Sequence, residues 1–368
     1  MSDLLLSQLF RPELLAMSAY KVSDALNMIK LDAMENPFIW PDGIQQRWLE
    51  TLKSCAINRY PDPEARALCS ALRKSNQLNP ESPILLGNGS DEIIQILLMA
   101  LPVAASVLAP EPGFVMYKQV AHSLGLNYLG IPLTESFELD MPVMLQAIKE
   151  RQPALIFLAF PNNPTGNLFN KNDILDILSV APGLVVVDEA YEPFADASFI
   201  GQLANHENLL VMRTLSKLGL AGLRLGYLLG NPTILEQLNK IRLPYNINSL
   251  TQATATFALD NADFLREQTQ TICQQRTIVF KSLQAFNNIT VYPSSANFIL
   301  FKTLNVDATE VFESLKHQGV LIKNLSPQGK QLKNCLRVTI GAPHENQLFL
   351  NALEKALKAS PIQTDSTY

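Results

Sequence analysis

Four cysteines, four histidines and two tryptophans are all that 368 residues carry of those three types. Cys55, Cys69, Cys273 and Cys335 are widely spaced and form no CxxC pair, which argues against a zinc site or a disulfide framework and for reduced, buried thiols. His122, His206, His317 and His344 show no ligand spacing and sit among polar residues, so they read as surface histidines and no metal is expected. Charge is sparse as well: charged residues are 17% of the chain, the net charge is -5, and the lysines and arginines are scattered. That leaves no electrostatic footprint for nucleic acid or an acidic membrane surface. No apolar run approaches the roughly 18 residues that a membrane span requires. The leucine-rich start has Asp3 where a signal peptide carries basic charge, and Arg11, Pro12 and Glu13 interrupt it. It is expected to pack on a partner subunit, and the chain is expected to be cytoplasmic. There is no internal repeat and no low-complexity tract.

What is present is ample core material. Hydrophobic residues are 47% of the chain, enough for a large domain with a smaller companion at this length. Residues 154–160 (ALIFLAF), 184–190 (LVVVDEA) and 209–215 (LLVMRTL) open on continuous apolar runs instead of alternating, the pattern of strands covered by helices on both faces. Amphipathic segments such as KNDILDILSVAP, and connectors such as FIGQLANHEN, lie between them. The expected fold class is therefore α/β, a mostly parallel sheet with a smaller α+β domain. After Tyr245 a long polar–apolar periodic stretch predicts one long helix or two joined ones. NFILFKT and CLRVTIG then read as strands, with ATEVFESLKHQG between them as a helix closed by Gly319. The divisions drawn are 1–45 as an N-terminal arm joining the small domain, 46–265 as the large domain, 266–358 as the small domain, and 359–368 as a frayed tail.

In an open parallel sheet, chemistry gathers at the carboxyl ends of the strands. There the chain places PNNPTG after the first run, Asp188-Glu189-Ala190-Tyr191 at the end of the second, and Ser216-Lys217 after the third, with Arg224 seven residues further on. Upstream, ILLGNGSDEIIQILLMAL is an apolar run, a Gly-Asn-Gly-Ser turn and a helix expected to be capped by Ser90, with Asp91 and Glu92 in its first turn. Singly, each feature has an ordinary reading: a strand-end aspartate as a helix cap or loop salt-bridge partner, PNNPTG as a turn, Ser-Lys as solvated surface. Jointly they supply a phosphate cradle, an acid for a protonated ring nitrogen, and a lysine whose pKa burial and a nearby cation can lower. Those are the contributions that pyridoxal phosphate requires of a protein. Glu189 and Glu192 are read as structural.

NPTG (163–166), DEAY (188–191) and SKLGLAGLRLGY (216–227) resemble the signatures of the fold-type I aminotransferases, which use pyridoxal phosphate. RYPDP (59–63), GNGSDE (87–92) and LRVTIG (336–341) are similar to those of the histidinol-phosphate aminotransferase family, and the likeness runs from LDAMENPF at Leu31 through the small domain. The resemblance implies a seven-stranded, mostly parallel large-domain sheet. It also implies that Lys217 carries the cofactor through a Schiff base and shuttles a proton, and that Asp188 keeps the ring nitrogen protonated. Asn163 and Tyr191 would hold the phenolic oxygen. Ser90, Asp91, Glu92, Ser216 and Arg224 would surround the phosphate, Tyr60 reaching it from the other subunit of a homodimer. Phe114 would stack on the ring. Arg337 would bind the anionic end of the substrate, with Asn163, Glu35 and Tyr20 near it; a lone tyrosine in an N-terminal arm also reads simply as packing. Two positions depart from the family pattern. Met34 stands where an asparagine precedes the glutamate, removing a polar group near the substrate entrance. Phe114 replaces a tyrosine, keeping the aromatic face and losing the hydroxyl.

The activity implied is transfer of an amino group between histidinol phosphate and 2-oxoglutarate, with glutamate as product, in histidine biosynthesis. Two alternatives share the cofactor residues: transamination of aromatic amino acids, and decarboxylation of a phosphorylated amino acid. A non-catalytic regulator would need a DNA-binding unit ahead of LDAMENP, where only about thirty residues without a basic helix-turn-helix pattern stand.

Overall fold

The computed structural model describes residues 3–19 and 24–359. Among the described residues, thirteen strands build three sheets. A short strand β1 (Ile29–Lys30) is followed by β2 (Ile84–Gly87), β3 (Ser106–Glu111), β4 (Asn127–Pro132), β5 (Leu155–Ala159), β6 (Leu184–Asp188), β7 (Leu209–Thr214) and β8 (Gly226–Gly230). These last seven form one sheet in the order β2-β8-β7-β6-β5-β3-β4. Only β8 runs against its neighbours, pairing antiparallel with both β2 and β7. The sheet is thus mostly parallel, as the sequence led one to expect.

The all-apolar strands follow from burial on both faces. Val185, Val187, Leu209 and Val211 enter one core, with Leu178, Leu265 and Phe199. Val186, Leu210, Met212 and Phe157 enter the opposite one, with Ile93, Leu97 and Tyr117. Because side chains alternate along a strand, each run has to be apolar on both faces, and polar residues enter only at the carboxyl ends, with Asp188 in β6 and Arg213 and Thr214 in β7.

The stretch after Tyr245 is two helices, Ser249–Asp260 and Asp263–Gln284. The first is capped by Asn248, whose side chain accepts from Thr251 N at 2.9 Å. The second joins two cores: Phe264 and Leu265 enter the large-sheet core, whereas Ile272, Val279 and Leu283 pack in a separate one. That second core belongs to β9 (Ile289–Val291), β10 (Phe298–Thr303), β12 (Lys323–Asn324) and β13 (Cys335–Thr339), an antiparallel sheet in the order β12-β13-β10-β9. β11 (Val320–Leu321) pairs in parallel with β1, which ties the N-terminal segment to this unit.

All four cysteines are free, but only Cys69 and Cys335 are buried; Cys55 and Cys273 are half-buried, a correction to the reading from sequence. His317 and His344 are exposed, while His122 and His206 are half-buried against neighbouring side chains. Leu5, Leu9, Phe10, Leu14 and Leu15 lie exposed near the N-terminus. No helix among the described residues is long and apolar enough to cross a membrane.

Candidate active site

β5 and β6 end level, Ala159 pairing with Asp188, while Asp188 pairs with Met212 of β7, which runs on two residues further to Thr214. The reversed β8 brings its first residue to the same edge, Gly226 pairing with Thr214 at the end of β7 and with Gly87 at the end of β2. The loops bearing Ser90, Asn163, Tyr191, Lys217 and Arg224 therefore open onto one cavity, which Asp91, Phe114, Met34, Asp188 and Ser216 also line.

One end of the cavity is built from backbone. The helix Ser90–Met99 starts there with Gly89, at φ 80°, in the cap position and no side-chain cap. Ser90 is thus the first helical residue and not the cap expected from the sequence, and the first-turn N–H groups are left for a ligand. Gly226 allows β8 to press against this turn, since a Cβ there would lie 2.6 Å from Ser90 N. Arg224 donates from Nη2 to Asp91 Oδ2 at 2.9 Å and from Nη1 toward Ser216 Oγ at 3.5 Å. Glu92 turns away: its carboxylate accepts from Asn88 N at 2.5 Å and from Asn246 Nδ2 at 2.8 Å, so it braces the turn from outside the cavity.

At the centre, Asp188 is 4% exposed. Its Oδ1 accepts from Ala190 N at 3.1 Å and its Oδ2 from the Tyr117 hydroxyl at 2.5 Å. Burial pushes the carboxyl up from 3.8 to about 6, against the lowering effect of those two hydrogen bonds. Asp188 is therefore a buried acid at the cavity wall with no ion-pair partner among the described residues, and a protonated ring nitrogen would supply one. Tyr117 carried no motif signal; sequence reasoning passed over it.

Lys217 lies in the turn Ser216–Leu220, directly after β7. The turn needs Gly219, which has φ 109° and where a Cβ would meet Asn36 Nδ2 at 2.9 Å. Lys217 Nζ donates to Ala33 O at 3.2 Å and stands 5.7 Å from the centre of the Tyr191 ring. Burial above all, then the Arg337 guanidinium and more weakly Arg224, brings its pKa from 10.5 down to about 8. Arg337 thus outweighs Arg224, the cation the sequence had suggested.

Asn163 joins two halves of the site. Its Nδ2 donates to Tyr191 Oη at 3.0 Å, and its Oδ1 accepts from Arg337 Nη1 at 2.5 Å. Arg337, on β13, is buried, donates to Asp32 O at 3.1 Å and lies over the Phe298 ring. It adjoins the cavity through Asn163 instead of lining it. Met34 sits in the cavity wall in a left-handed conformation, φ 54°, held by Thr339 Oγ1 and Asn297 Nδ2.

Other expected residues lie elsewhere. Glu35 is half-exposed and pairs with Lys30 at 2.5 Å, outside the cavity wall. Tyr60 is 80% exposed and stacks on Tyr245 at 4.5 Å, away from this chain's own cavity. Tyr20 lies outside the described residues.

A cradle of free N–H groups beside an arginine, a buried acid awaiting a cation and a lysine of lowered pKa together suit pyridoxal phosphate. Residues 27–355 match the family described as aminotransferase class I and II, and the chain belongs to that family, whose cofactor is pyridoxal phosphate. Within it, the chain is similar to histidinol-phosphate aminotransferase 2 of Nitrosococcus oceani, 53% identical over 353 residues, 96% of this chain and 98% of that one. Histidinol-phosphate aminotransferase 1 of Ralstonia nicotianae is 47% identical over 365 residues, 98% and 97% of the two chains. The crystal structure of histidinol-phosphate aminotransferase from Sinorhizobium meliloti in complex with pyridoxal-5'-phosphate shares the fold, with a TM-score of 0.85 at 24% identity over 96% of this chain and 99% of that one.

Proposed function

We propose that this aminotransferase moves the amino group of L-histidinol phosphate to 2-oxoglutarate, giving imidazole-acetol phosphate and glutamate, as a step of histidine biosynthesis. The observation that carries the reading is the placing of Lys217, Asp188, Asn163, Tyr191 and Arg224 around one cavity, with the buried guanidinium of Arg337 held behind Asn163 as a cation for an anionic substrate group. The names of relatives around half identical over nearly the whole chain support the substrate.

Pyridoxal phosphate, when bound, supplies an electron sink for the substrate carbon that loses its proton. The chain's residues do the rest. The N–H groups at Ser90 and Asp91, with Ser216 and Arg224, hold a phosphate. Asn163 and Tyr191 hydrogen-bond the ring's phenolic oxygen, and Phe114 offers a face for stacking. Asp188 keeps a proton on the ring nitrogen. Lys217, with a pKa of about 8, has enough neutral amine near physiological pH to attach the cofactor and to carry a proton to and from the substrate carbon. Residues 46–265 are read as the cofactor-binding domain, and the arm 1–45 with 266–358 as the smaller domain that brings Arg337.

The same reading makes the enzyme a cytoplasmic homodimer. Ile57, Tyr60, Leu243 and Leu250 form an exposed apolar set suited to an interface, and Tyr60 would reach the partner's phosphate cradle. Steady-state rates with 2-oxoglutarate and, in turn, histidinol phosphate, phenylalanine and tyrosine test the substrate. Failure to convert histidinol phosphate alongside efficient turnover of the aromatic amino acids would refute it. Carbon dioxide release from a phosphorylated amino acid without any oxo acid would point to a decarboxylase instead.

A further inference from the structure

Tyr117 is 1% exposed in the helix Val115–Ser123, with its ring stacked on Phe157 of β5 at 4.3 Å and 1° between planes. The edge of Phe114, in the cavity wall, meets it at 5.4 Å. Its hydroxyl is directed at Asp188 Oδ2 at 2.5 Å, a length typical of a phenol donating to a carboxylate. A buried phenol needs a partner for its hydroxyl, and a leucine or phenylalanine would fill this apolar slot without one. The ring is fixed by a strand that ends level with Asp188, since Ala159 and Asp188 are registered partners.

We propose that Tyr117 is a positioning residue for the cofactor: a fixed proton donor behind Asp188 that holds its carboxylate ionised and orients it toward the ring nitrogen. This rests on the reading that Asp188 faces that nitrogen. Burial raises the Tyr117 phenol well above its usual range, so it stays a donor at any pH the enzyme meets. The two oxygens of Asp188 then have different duties. Oδ1 is held by Ala190 N, and Oδ2 by Tyr117, which fixes the plane of the group while each oxygen keeps a second lone pair. The other charges felt by Asp188, those of Asp91 and Glu189, oppose its ionisation. Tyr117 and the Ala190 N–H are what favour the anion before a cofactor arrives.

The test uses enzyme loaded with pyridoxal phosphate labelled with 15N in the ring. The wild type is expected to show the protonated pyridinium resonance and Asp188→Asn the unprotonated one. Tyr117→Phe, which keeps the ring stack, should lie between them. Its kcat should fall roughly 10-fold, the loss of one hydrogen bond to a charged group, with KM changed less than about twofold. A Tyr117→Phe enzyme with wild-type resonance and kcat would overturn the proposal while leaving Asp188 its role. If Asp188→Asn also kept the wild-type resonance, the reading of Asp188 would fall and the proposal with it. Should Tyr117→Phe lose its native circular dichroism, 3-fluorotyrosine at position 117 keeps ring and donor and strengthens the bond. It should displace the resonance further toward the protonated side, and an unmoved resonance would count against the proposal.

Discussion

Arg224 donates to Asp91 at 2.9 Å across the start of the helix Ser90–Met99 while its own backbone sits at φ 48°, in the left-handed region. Both side chains are about half exposed, so the ion pair itself adds at most about 1 kcal/mol to stability. Its effect is to hold the guanidinium over the start of that helix, against the mild strain of a non-glycine residue with positive φ. Arg224→Ala is expected to weaken pyridoxal phosphate binding by roughly 10- to 100-fold, as loss of a charge-assisted contact to phosphate would. The apoprotein's melting temperature should barely change. Titration of apoprotein with the cofactor, followed by absorbance, measures this; an unaltered Kd would show that the arginine does not face the phosphate.

Lys217 should be the lysine that reacts first as pH rises. Its pKa of about 8 in the folded chain, against 10.5 for an ordinary lysine, means that the unfolded chain binds the extra proton between those two values. Apoprotein stability therefore gains from this residue as pH climbs from about 8 to 10.5, and below pH 8 the buried charge is a liability. Reductive labelling of the apoprotein with pyridoxal and cyanoborohydride, mapped by mass spectrometry, should give a midpoint near pH 8 at Lys217. A midpoint near 10 would contradict the burial argument.

Asp188 behaves in the opposite sense. Its pKa is raised from 3.8 to about 6, so the folded apoprotein holds a proton that the unfolded chain has released. The stability this contributes is full below about pH 4 and is lost as pH rises through about 6. Asp188→Asn apoprotein should melt roughly 2 to 4 °C above the wild type at pH 7.5 and level with it near pH 4. Scanning fluorimetry across that range checks the sign. The same variant should lose nearly all transamination, because no anion then faces the ring nitrogen.

On the other side of the strand end, Arg213 donates to Glu189 Oε2 from Nε at 2.9 Å and from Nη2 at 2.7 Å. Glu189 has no exposed side-chain surface and also accepts from Phe199 N and Ser198 Oγ. Arg213→Ala would strand a buried carboxylate and should cost about 3 to 5 kcal/mol in urea unfolding. Replacing both partners by methionine should recover most of that loss. A single variant as stable as the wild type would mean that the pair is solvated.

The buried strands were legible because helices on both faces leave continuous apolar runs ahead of the carboxyl ends; β5, β6 and β7 lie within the three runs read from sequence, each ending one or two residues sooner. Asp188, Lys217 and Arg224 were legible because charges at strand ends in an apolar context need a ligand or a partner. Glu92 and Glu35 were placed at the site by the family resemblance, yet neighbours on a helix or in an extended chain point in different directions, and here Glu92 bonds Asn246 and Glu35 pairs with Lys30 outside the cavity wall. Tyr117 was not legible, since an aromatic residue in an apolar helix carries no mark of its partner.

Local chemistry along the chain by itself determined the α/β class and the order of polar and charged residues at successive strand ends. Only the tertiary structure decided which groups share a field. Arg337 meets Asn163 across 174 residues, Tyr117 meets Asp188 across 71, and β8 reverses to deliver Arg224 to the helix at Ser90. Such pairings come from packing whole faces of sheet and helix against one another, and hydrophobic burial, being non-directional, leaves no periodic trace of them in the sequence.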